Sequence, residues 1–423
     1  MTAVPRHLLP DTTTIAADGT ASIGGCALTD LAEEFGTPLF VYDAAHIRVR
    51  AKEAVSAFGD GAIYASKAFL CRAVAKLVHD AGMGIDVATG GELHVAIAAG
   101  VPAARLVLHG NNKADHELAR ALEVGVGRIV IDNFDEIDRI ESMVGQGAPA
   151  PKVLLRITPG VEAHTHEYVS TGQDDSKFGF TVSTGAARSA VERVRQSDAM
   201  ELVGIHAHIG SQVFRAQSFA AALEVIASFS EPLSLPELSI GGGLGVAYVE
   251  GESAPTITEW AEALLGRAAE LGVRSKIFAE PGRAIVASAA VTLYRVGTIK
   301  EIPGVRTYVA VDGGMSDNPR PVLYGSGYET FLPRATDAER SKAIRLVGKH
   351  CESGDLLVRD GRLPSDVAVG DIVSTPVTGA YGHSMGSNYN KVLRPAVVFV
   401  ENGDARLVVR RETYDDLLTT DVG

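Results

Sequence analysis

The chain has 423 residues, 46% of them hydrophobic and 22% charged, with a formal net charge of −13 and a pI near 5.4. This is longer than one ordinary core, so it predicts two domains or one large barrel with an appendage, globular rather than disordered. Its acidity argues against a nucleic-acid or anionic-membrane partner, since both require a basic surface.

The three cysteines, Cys26, Cys71 and Cys351, are odd in number and widely spaced. That spacing predicts reduced thiols rather than a disulfide framework, and a cytoplasmic protein. The start, Met1-Thr-Ala-Val-Pro-Arg-His, lacks a basic region followed by an apolar core. No window reaches the ~18 apolar residues of a membrane span. A soluble, unexported protein with a small-molecule or protein partner is expected, and no residue set calls for a metal.

In chain order, residues 1 to 43 hold short β-like pieces, a helical segment Leu28 to Phe35 and an apolar strand Pro38 to Tyr42. A different rhythm follows, in which short apolar strands alternate with amphipathic helices. The strands read as Ala62–Ser66, Ile85–Ala88, Leu106–His109, Arg128–Asp132, Lys152–Ile157, Val203–Ile209, Glu237–Ile240 and Lys276–Ala279. Helices are predicted over Leu70–Ala81, Glu92–Ala99, His116–Val124, Thr184–Arg195, Gln217–Phe229 and Ile257–Leu271. Such a series of strand-then-helix units fits a (β/α)8 TIM barrel of the usual ~250 residues, with a doubly wound open sheet as the alternative. Beyond about residue 290 the helical period fades. Strands are predicted at Val291–Val296, Thr307–Val311, Ile344–Val347, Ile372–Pro376, Ala396–Val400 and Arg406–Arg410. The expected architecture is therefore α/β: a barrel over residues 44–288, and a β-barrel or β-sandwich domain from residues 1–43 and 289–423.

In a barrel, function gathers at the C-terminal ends of the strands. The unusual polar residues fall there: Lys67 ends the first strand, Asp86 lies in the second, Arg156 nears the end of the fifth, and His206 and His208 lie in the sixth. Gly241-Gly242-Gly243 follows the seventh strand, and Glu280-Pro281-Gly282-Arg283 follows the eighth. Singly each has a bland reading: a paired or snorkelling lysine, a hydrogen-bonded core histidine, a tight turn. Together they predict a site. A glycine loop with Arg283 suits a phosphate, a lysine can form a Schiff base with an aldehyde, and His208 can stack on a flat ring. Pyridoxal phosphate has all three handles. A carboxylate such as Glu280 beside the pyridine nitrogen would keep it protonated and make the ring a strong electron sink. A sugar-phosphate aldolase also uses a barrel lysine, but has no need of the Glu280 and His208 pair.

The motifs Tyr64-Ala-Ser-Lys67-Ala, Asp86-Val-Ala-Thr-Gly-Gly-Glu92-Leu, His206-Ala-His208-Ile-Gly-Ser211-Gln212, Gly241-Gly-Gly243-Leu-Gly and Glu280-Pro-Gly-Arg283 resemble the alanine-racemase-fold, pyridoxal-phosphate-dependent basic amino-acid decarboxylases. The stretches Asp312 to Tyr324, Cys351-Glu352-Ser353-Gly-Asp355, Gly379-Ala-Tyr381, Tyr389-Asn390 and Arg394-Pro395 are similar to the diaminopimelate decarboxylase branch. The resemblance covers nearly the whole chain. It implies that Lys67 carries the cofactor, that His208 stacks on its ring, and that Asp86, Ser211, Gly243, Glu280, Gly282, Arg283 and Tyr381 complete the cofactor site. It further implies that Arg283, Arg320, Tyr324, Glu352 and Tyr381 grip the substrate, and that Cys351 is the proton donor. Two Arg, a Tyr and a Glu can pair the carboxylate and ammonium of a distal zwitterion together.

The implied reaction is removal of the carboxylate at the D-centre of meso-2,6-diaminopimelate, giving L-lysine and carbon dioxide in lysine biosynthesis. A homodimer is implied as well, with Cys351 and Glu352 reaching the neighbouring subunit's site. The alternatives are an ornithine, lysine or carboxynorspermidine decarboxylase of the same fold, and an inactive pyridoxal-phosphate-binding regulator.

Overall fold

The computed structural model describes residues 3–160 and 174–423. Contacts divide the chain into two compact units, one of residues 50–246 and 254–284, the other of residues 1–49, 247–253 and 285–423.

The first unit is a parallel barrel. Its strands are Ile63–Ala65, Gly84–Val87, Leu106–Leu108, Arg128–Ile131, Lys152–Thr158, Glu201–His206, Glu237–Ser239 and Lys276–Phe278, each paired with the next in that order. The two ends of the series also meet. Ile63 N–H donates to the Ala279 carbonyl at 2.9 Å, and Ala279 N–H to the Gly61 carbonyl at 3.0 Å, which closes the ring.

Helices Arg72–Asp80, Gly90–Ala98, Asp115–Val124, Phe134–Gly145, Ala186–Arg195, Ala216–Ser230 and Ile257–Glu270 return the chain between strands. Several start where a side chain accepts an otherwise orphaned N–H: Thr89 from Glu92, Asn133 from Glu136, and Thr256 from Glu259 in a reciprocal capping box. Such caps stabilise each helix by about 1 kcal/mol. The last crossover is reduced to Arg283–Val286.

Side chains alternate across a strand, and this alternation sorts the barrel interior into layers. One layer is apolar, made of Ile63, Val107, Val130, Leu154, Val203 and Phe278. Two residues further along the strands stand Ala65, His109, Asp132, Arg156 and Glu280, with Asp86 in register with Ala65 and His206 in register with Arg156. The polar layer lies towards the C-terminal mouth. A register shift between Leu202 and Gly204 sets the sixth strand so that Gly204, His206 and then His208 face inward.

The second unit is a mixed sheet. The N-terminal strand Leu39–Asp43 lies in its middle, antiparallel to Ala290–Ile302 and parallel to Ala396–Glu401. Ala290–Ile302 is 13 residues long, pairing through its first half with Ile372–Pro376 and through its second with Arg306–Val311. Lys342–Val347, Leu356–Leu363 and Asp404–Val409 extend the two edges. Leu28–Phe35 is a helix over the residues its pattern predicts, and buries Leu28, Leu31 and Ala32 against Ile23, Val41, Val291 and Val398.

Two local expectations change. Lys67 does not end a buried strand: the strand stops at Ala65 and Lys67 stands exposed on a 3-10 turn, Ser66–Ala68. The strand Leu356–Leu363 was not anticipated, because Arg359-Asp360-Gly361-Arg362 interrupts its apolar pattern; its pairing comes from Lys342–Val347.

Candidate active site

The barrel mouth brings together most of the residues singled out in its sequence. Lys67 opens the ring, and its charge acts on Asp86, Glu92 and His208. Glu280 lies buried after the eighth strand. Its Oε1 accepts the Ser239 hydroxyl at 2.7 Å, its Oε2 lies 3.1 Å from His206 Nε2, and His109 Nε2 lies 3.7 Å from Oε1. Burial alone would raise the Glu280 carboxyl, but His206, His109 and the Ser239 bond outweigh it and hold the group well below the usual carboxylate range. Asp86 goes the other way. Burial, with repulsion from Glu280, pushes its carboxyl well up, and Lys67 and Arg156 offset only part of that.

His208 is fixed by its surroundings as a neutral ring. Its Nδ1 accepts the Gly242 N–H at 3.1 Å, while burial, Lys67 and Arg156 hold its pKa well below the ordinary value. The glycine turn it touches admits no side chain. A Cβ at Gly242 would stand 2.1 Å from the Glu280 carbonyl, and one at Gly243, where φ is +111°, 2.2 Å from the Gly210 carbonyl. Beside the turn, Arg283 Nη2 donates to Ser211 Oγ at 3.0 Å. Gln212, at φ +61°, donates from its amide to the Val246 carbonyl at 2.7 Å, tying the loops after the sixth and seventh strands together.

Behind the mouth, Lys113 is fully committed. Its Nζ reaches the Gly110 and Val130 carbonyls at 2.8 and 2.7 Å and Glu136 at 2.6 Å, with both side chains of the ion pair buried. It is not available as a second reactive amine. Arg156 lies 4.2 Å from the Phe178 ring and 3.9 Å from Asp132, whose other oxygen accepts the Gly179 N–H at 3.0 Å.

These residues fit a phosphorylated pyridine aldehyde. Buried polar atoms without a protein partner, His109 Nε2 and His206 Nδ1 among them, line the same layer as the ionised Glu280. A glycine cradle with Ser211 and Arg283 stands beside it, and an exposed lysine completes the set.

In the β unit, Arg320 is buried and opens a short helix, Arg320–Tyr324. Its guanidinium lies 4.2 Å from the Tyr248 ring and 5.6 Å from the Tyr328 ring, and also donates to the Tyr328 hydroxyl. The two tyrosines pack edge to face at 5.3 Å. Tyr248 comes from 247–253, a segment anchored by Glu250, whose N–H donates to Glu329 at 3.0 Å and whose carboxylate meets Arg340 at 3.4 Å. Tyr324 is half-buried at the far end of the Arg320 helix.

Cys351 and Glu352 are exposed on a turn held by Asp355, which accepts N–H groups from Met315 and His350 at 2.7 and 2.8 Å. The Cys351 N–H donates to Asn390 Oδ1 at 3.1 Å. Tyr381 is held at φ +60°, a conformation costing a side-chain-bearing residue about 1–2 kcal/mol. Strain of this kind marks positions whose direction matters.

Sequence reasoning passed over His109, Ser239, Tyr248 and Tyr328. The first two carry a usable signal, since His109 stands two residues beyond the apolar Val107 and Ser239 lies in the last position of its strand. Tyr248 and Tyr328 carry none.

Residues 44–287 match the family described as pyridoxal-dependent decarboxylase, pyridoxal binding domain. The chain is 47% identical to the diaminopimelate decarboxylase of Mycobacterium tuberculosis, with 98% of each chain covered. It is 47% identical to that of Bacillus subtilis, covering 96% of this chain and 95% of the other. A crystal structure of diaminopimelate decarboxylase from M. jannaschii in complex with L-lysine superposes with a TM-score of 0.90 at 32% identity, over 98% of both chains.

Proposed function

The chain belongs to the diaminopimelate decarboxylases of the pyridoxal-dependent decarboxylase family, and from that membership we infer that it converts meso-2,6-diaminopimelate to L-lysine and carbon dioxide with pyridoxal phosphate. The observation that carries the chemistry is the buried Glu280 at the barrel mouth, with Ser239 on one carboxyl oxygen and His206 on the other. Bound pyridoxal phosphate supplies an electron sink for the carbanion left when carbon dioxide departs. The chain's own residues do the rest. Lys67 would hold the cofactor through its amine, Glu280 would pair with the ring nitrogen, and His208, anchored to Gly242, would stack on the ring. Ser211, Gly243, Gly282 and Arg283 would hold the phosphate end, with Asp86 beside Lys67, and Tyr381 would contact cofactor and substrate.

Arg320, braced by two tyrosines, supplies a fixed cation for the distal carboxylate of the substrate. Arg283, Tyr324, Glu352 and Tyr381 complete recognition of that zwitterion, and Cys351 returns a proton to the decarboxylated carbon. The exposure of Cys351 and Glu352 in a single chain supports a homodimer in which they complete the neighbouring subunit's site. Among the described residues no helix is long and apolar enough to cross a membrane. Three cysteines, none of them joined in a disulfide, support a cytoplasmic setting.

Product analysis of the cofactor-loaded protein tests the activity. Lysine and carbon dioxide should form from meso-diaminopimelate, with no comparable release of putrescine from L-ornithine or cadaverine from L-lysine. The reverse preference would establish a different basic amino-acid decarboxylase, and no carbon dioxide from any of the three would leave a cofactor-binding protein without this chemistry.

A further inference from the structure

Glu280 is one of two buried acids in the polar layer, and the layer does not treat them alike. A buried carboxylate keeps its charge only where donors replace the lost water. Glu280 has Ser239 Oγ at 2.7 Å on one oxygen and His206 Nε2 at 3.1 Å on the other. Because an ionised carboxylate only accepts, the proton in the second contact belongs to His206, which fixes hydrogen on Nε2. The opposite nitrogen, His206 Nδ1, is buried and has no protein partner.

His109 holds that ring in place. Its imidazole meets His206 edge to face, with centroids 4.9 Å apart and planes at 70°. Its own Nε2, 3.7 Å from Glu280, is too far for a hydrogen bond, and burial holds its pKa well below the ordinary value. The other ionisable groups whose charges act on Glu280 are Asp86, Arg156 and His208.

We propose that His206, braced by His109 and assisted by Ser239, is a positioning residue that fixes Glu280 as the ionised partner of the cofactor's ring nitrogen. The proposal rests on the reading of the barrel mouth as a pyridoxal phosphate site. Without the His206 donor, Glu280 and Asp86 compete on more equal terms for one proton, and the ring nitrogen loses a dependable anion. A glutamine at position 206 can place an amide N–H near the position of Nε2, whereas leucine offers none and asparagine is too short.

The test compares His206→Gln, His206→Leu and His206→Asn with Glu280→Gln, using readouts that do not depend on turnover. In the cofactor-free protein, the infrared carboxyl band assigned through Glu280→Gln should show an ionised Glu280 in the native chain and in His206→Gln, and a protonated one in His206→Leu at near-neutral pH. In the loaded protein, NMR of an isotope-labelled ring nitrogen should show it protonated in the native chain and His206→Gln, and shifted towards the unprotonated form in His206→Leu. Turnover of His206→Leu should fall about 10–100-fold with KM little changed, as expected for one hydrogen bond to a charged group. His206→Asn should behave as His206→Leu, and stands in for it if the leucine variant does not fold. An ionised Glu280 and an unchanged ring nitrogen in the leucine or asparagine variant would overturn the proposal while leaving the site intact. A ring nitrogen that also ignores Glu280→Gln would instead overturn the placement of Glu280.

Discussion

The barrel mouth and the Arg320 cluster handle charge by opposite means. In the barrel, the strands deliver Asp86, His109, Arg156, His206 and Glu280 to one layer, so position is set by register, and Glu280 is met there by His206. In the β unit, aromatic faces and a phenol enclose the Arg320 guanidinium, contributed by segments eighty residues apart in sequence at Tyr248 and Tyr328. The first arrangement tunes protonation. The second fixes a cation in place while leaving its charge to be met by a ligand. On the proposed reading, one region would set what the cofactor can do, and the other what the substrate must carry.

If that division holds, substitutions in the two regions should fail differently. The largest effect is expected for Lys67→Ala, which should abolish activity together with the visible absorbance of the bound cofactor. Lys113, buried in three polar contacts, offers no substitute amine. A Lys67→Ala protein with activity and a borohydride-reducible adduct would remove Lys67 from its place.

Arg320→Ala should spare the cofactor spectrum and lower kcat/KM for meso-diaminopimelate. The loss should be roughly 2–5 kcal/mol, that of one partner in a desolvated charge pair, or about 30-fold upward. An unaltered kcat/KM would place Arg320 outside substrate recognition. Glu280→Gln should do the reverse: kcat falls about tenfold or more for loss of a charge-assisted bond, while cofactor affinity changes little. Equal losses in affinity and turnover would make Glu280 an anchor rather than a tuner.

The smallest effect sharpens the picture of the β unit's own acids. Burial, with repulsion from Asp312 and Asp355, pushes the Asp317 carboxyl up to about 7 against the Gly314 N–H that it accepts. In the unfolded chain this carboxyl titrates near ~4. Folding therefore takes up a proton between those values. The stability this group contributes is full below the lower value and drains as pH rises to the upper, by at most about 1.4 kcal/mol per unit. Asp317→Asn, which cannot ionise, should be more stable relative to the native chain above neutrality and lose that advantage in acid. Denaturant midpoints at several pH values check this, and parallel curves for the two proteins would contradict it.

The same contrast explains what the sequence disclosed. A closed parallel barrel converts strand register into spatial address, so Asp86, Arg156, His206 and Glu280 could be placed at one mouth from their strand ends alone. His109 obeys the same rule and was within reach of it. Lys67 differs from the reading only in its local structure, because the strand ends at Ala65 and a 3-10 turn follows, which an apolar run does not reveal. The β unit gave less. The helix Leu28–Phe35 is legible from its period, but the strand Ala290–Ile302 only over Val291–Val296, and Leu356–Leu363 is held by its neighbour rather than by its own pattern. The Arg320 enclosure depends on the seven residues 247–253, which sit in sequence among barrel elements yet join the other unit. Only the likeness of whole motifs pointed to Arg320, Tyr324, Cys351, Glu352 and Tyr381.

The division of labour is tested most directly by discrimination between meso-diaminopimelate and D-lysine, which keeps the reacting D-centre but lacks the distal carboxylate. The ratio of kcat/KM for the two substrates should strongly favour diaminopimelate in the native enzyme. It should stay near the native value in Glu280→Gln, where both rates fall together, and collapse towards unity in Arg320→Ala. A ratio that survives Arg320→Ala, or that collapses in Glu280→Gln, would contradict the assignment of substrate reading to the β unit and of cofactor tuning to the barrel.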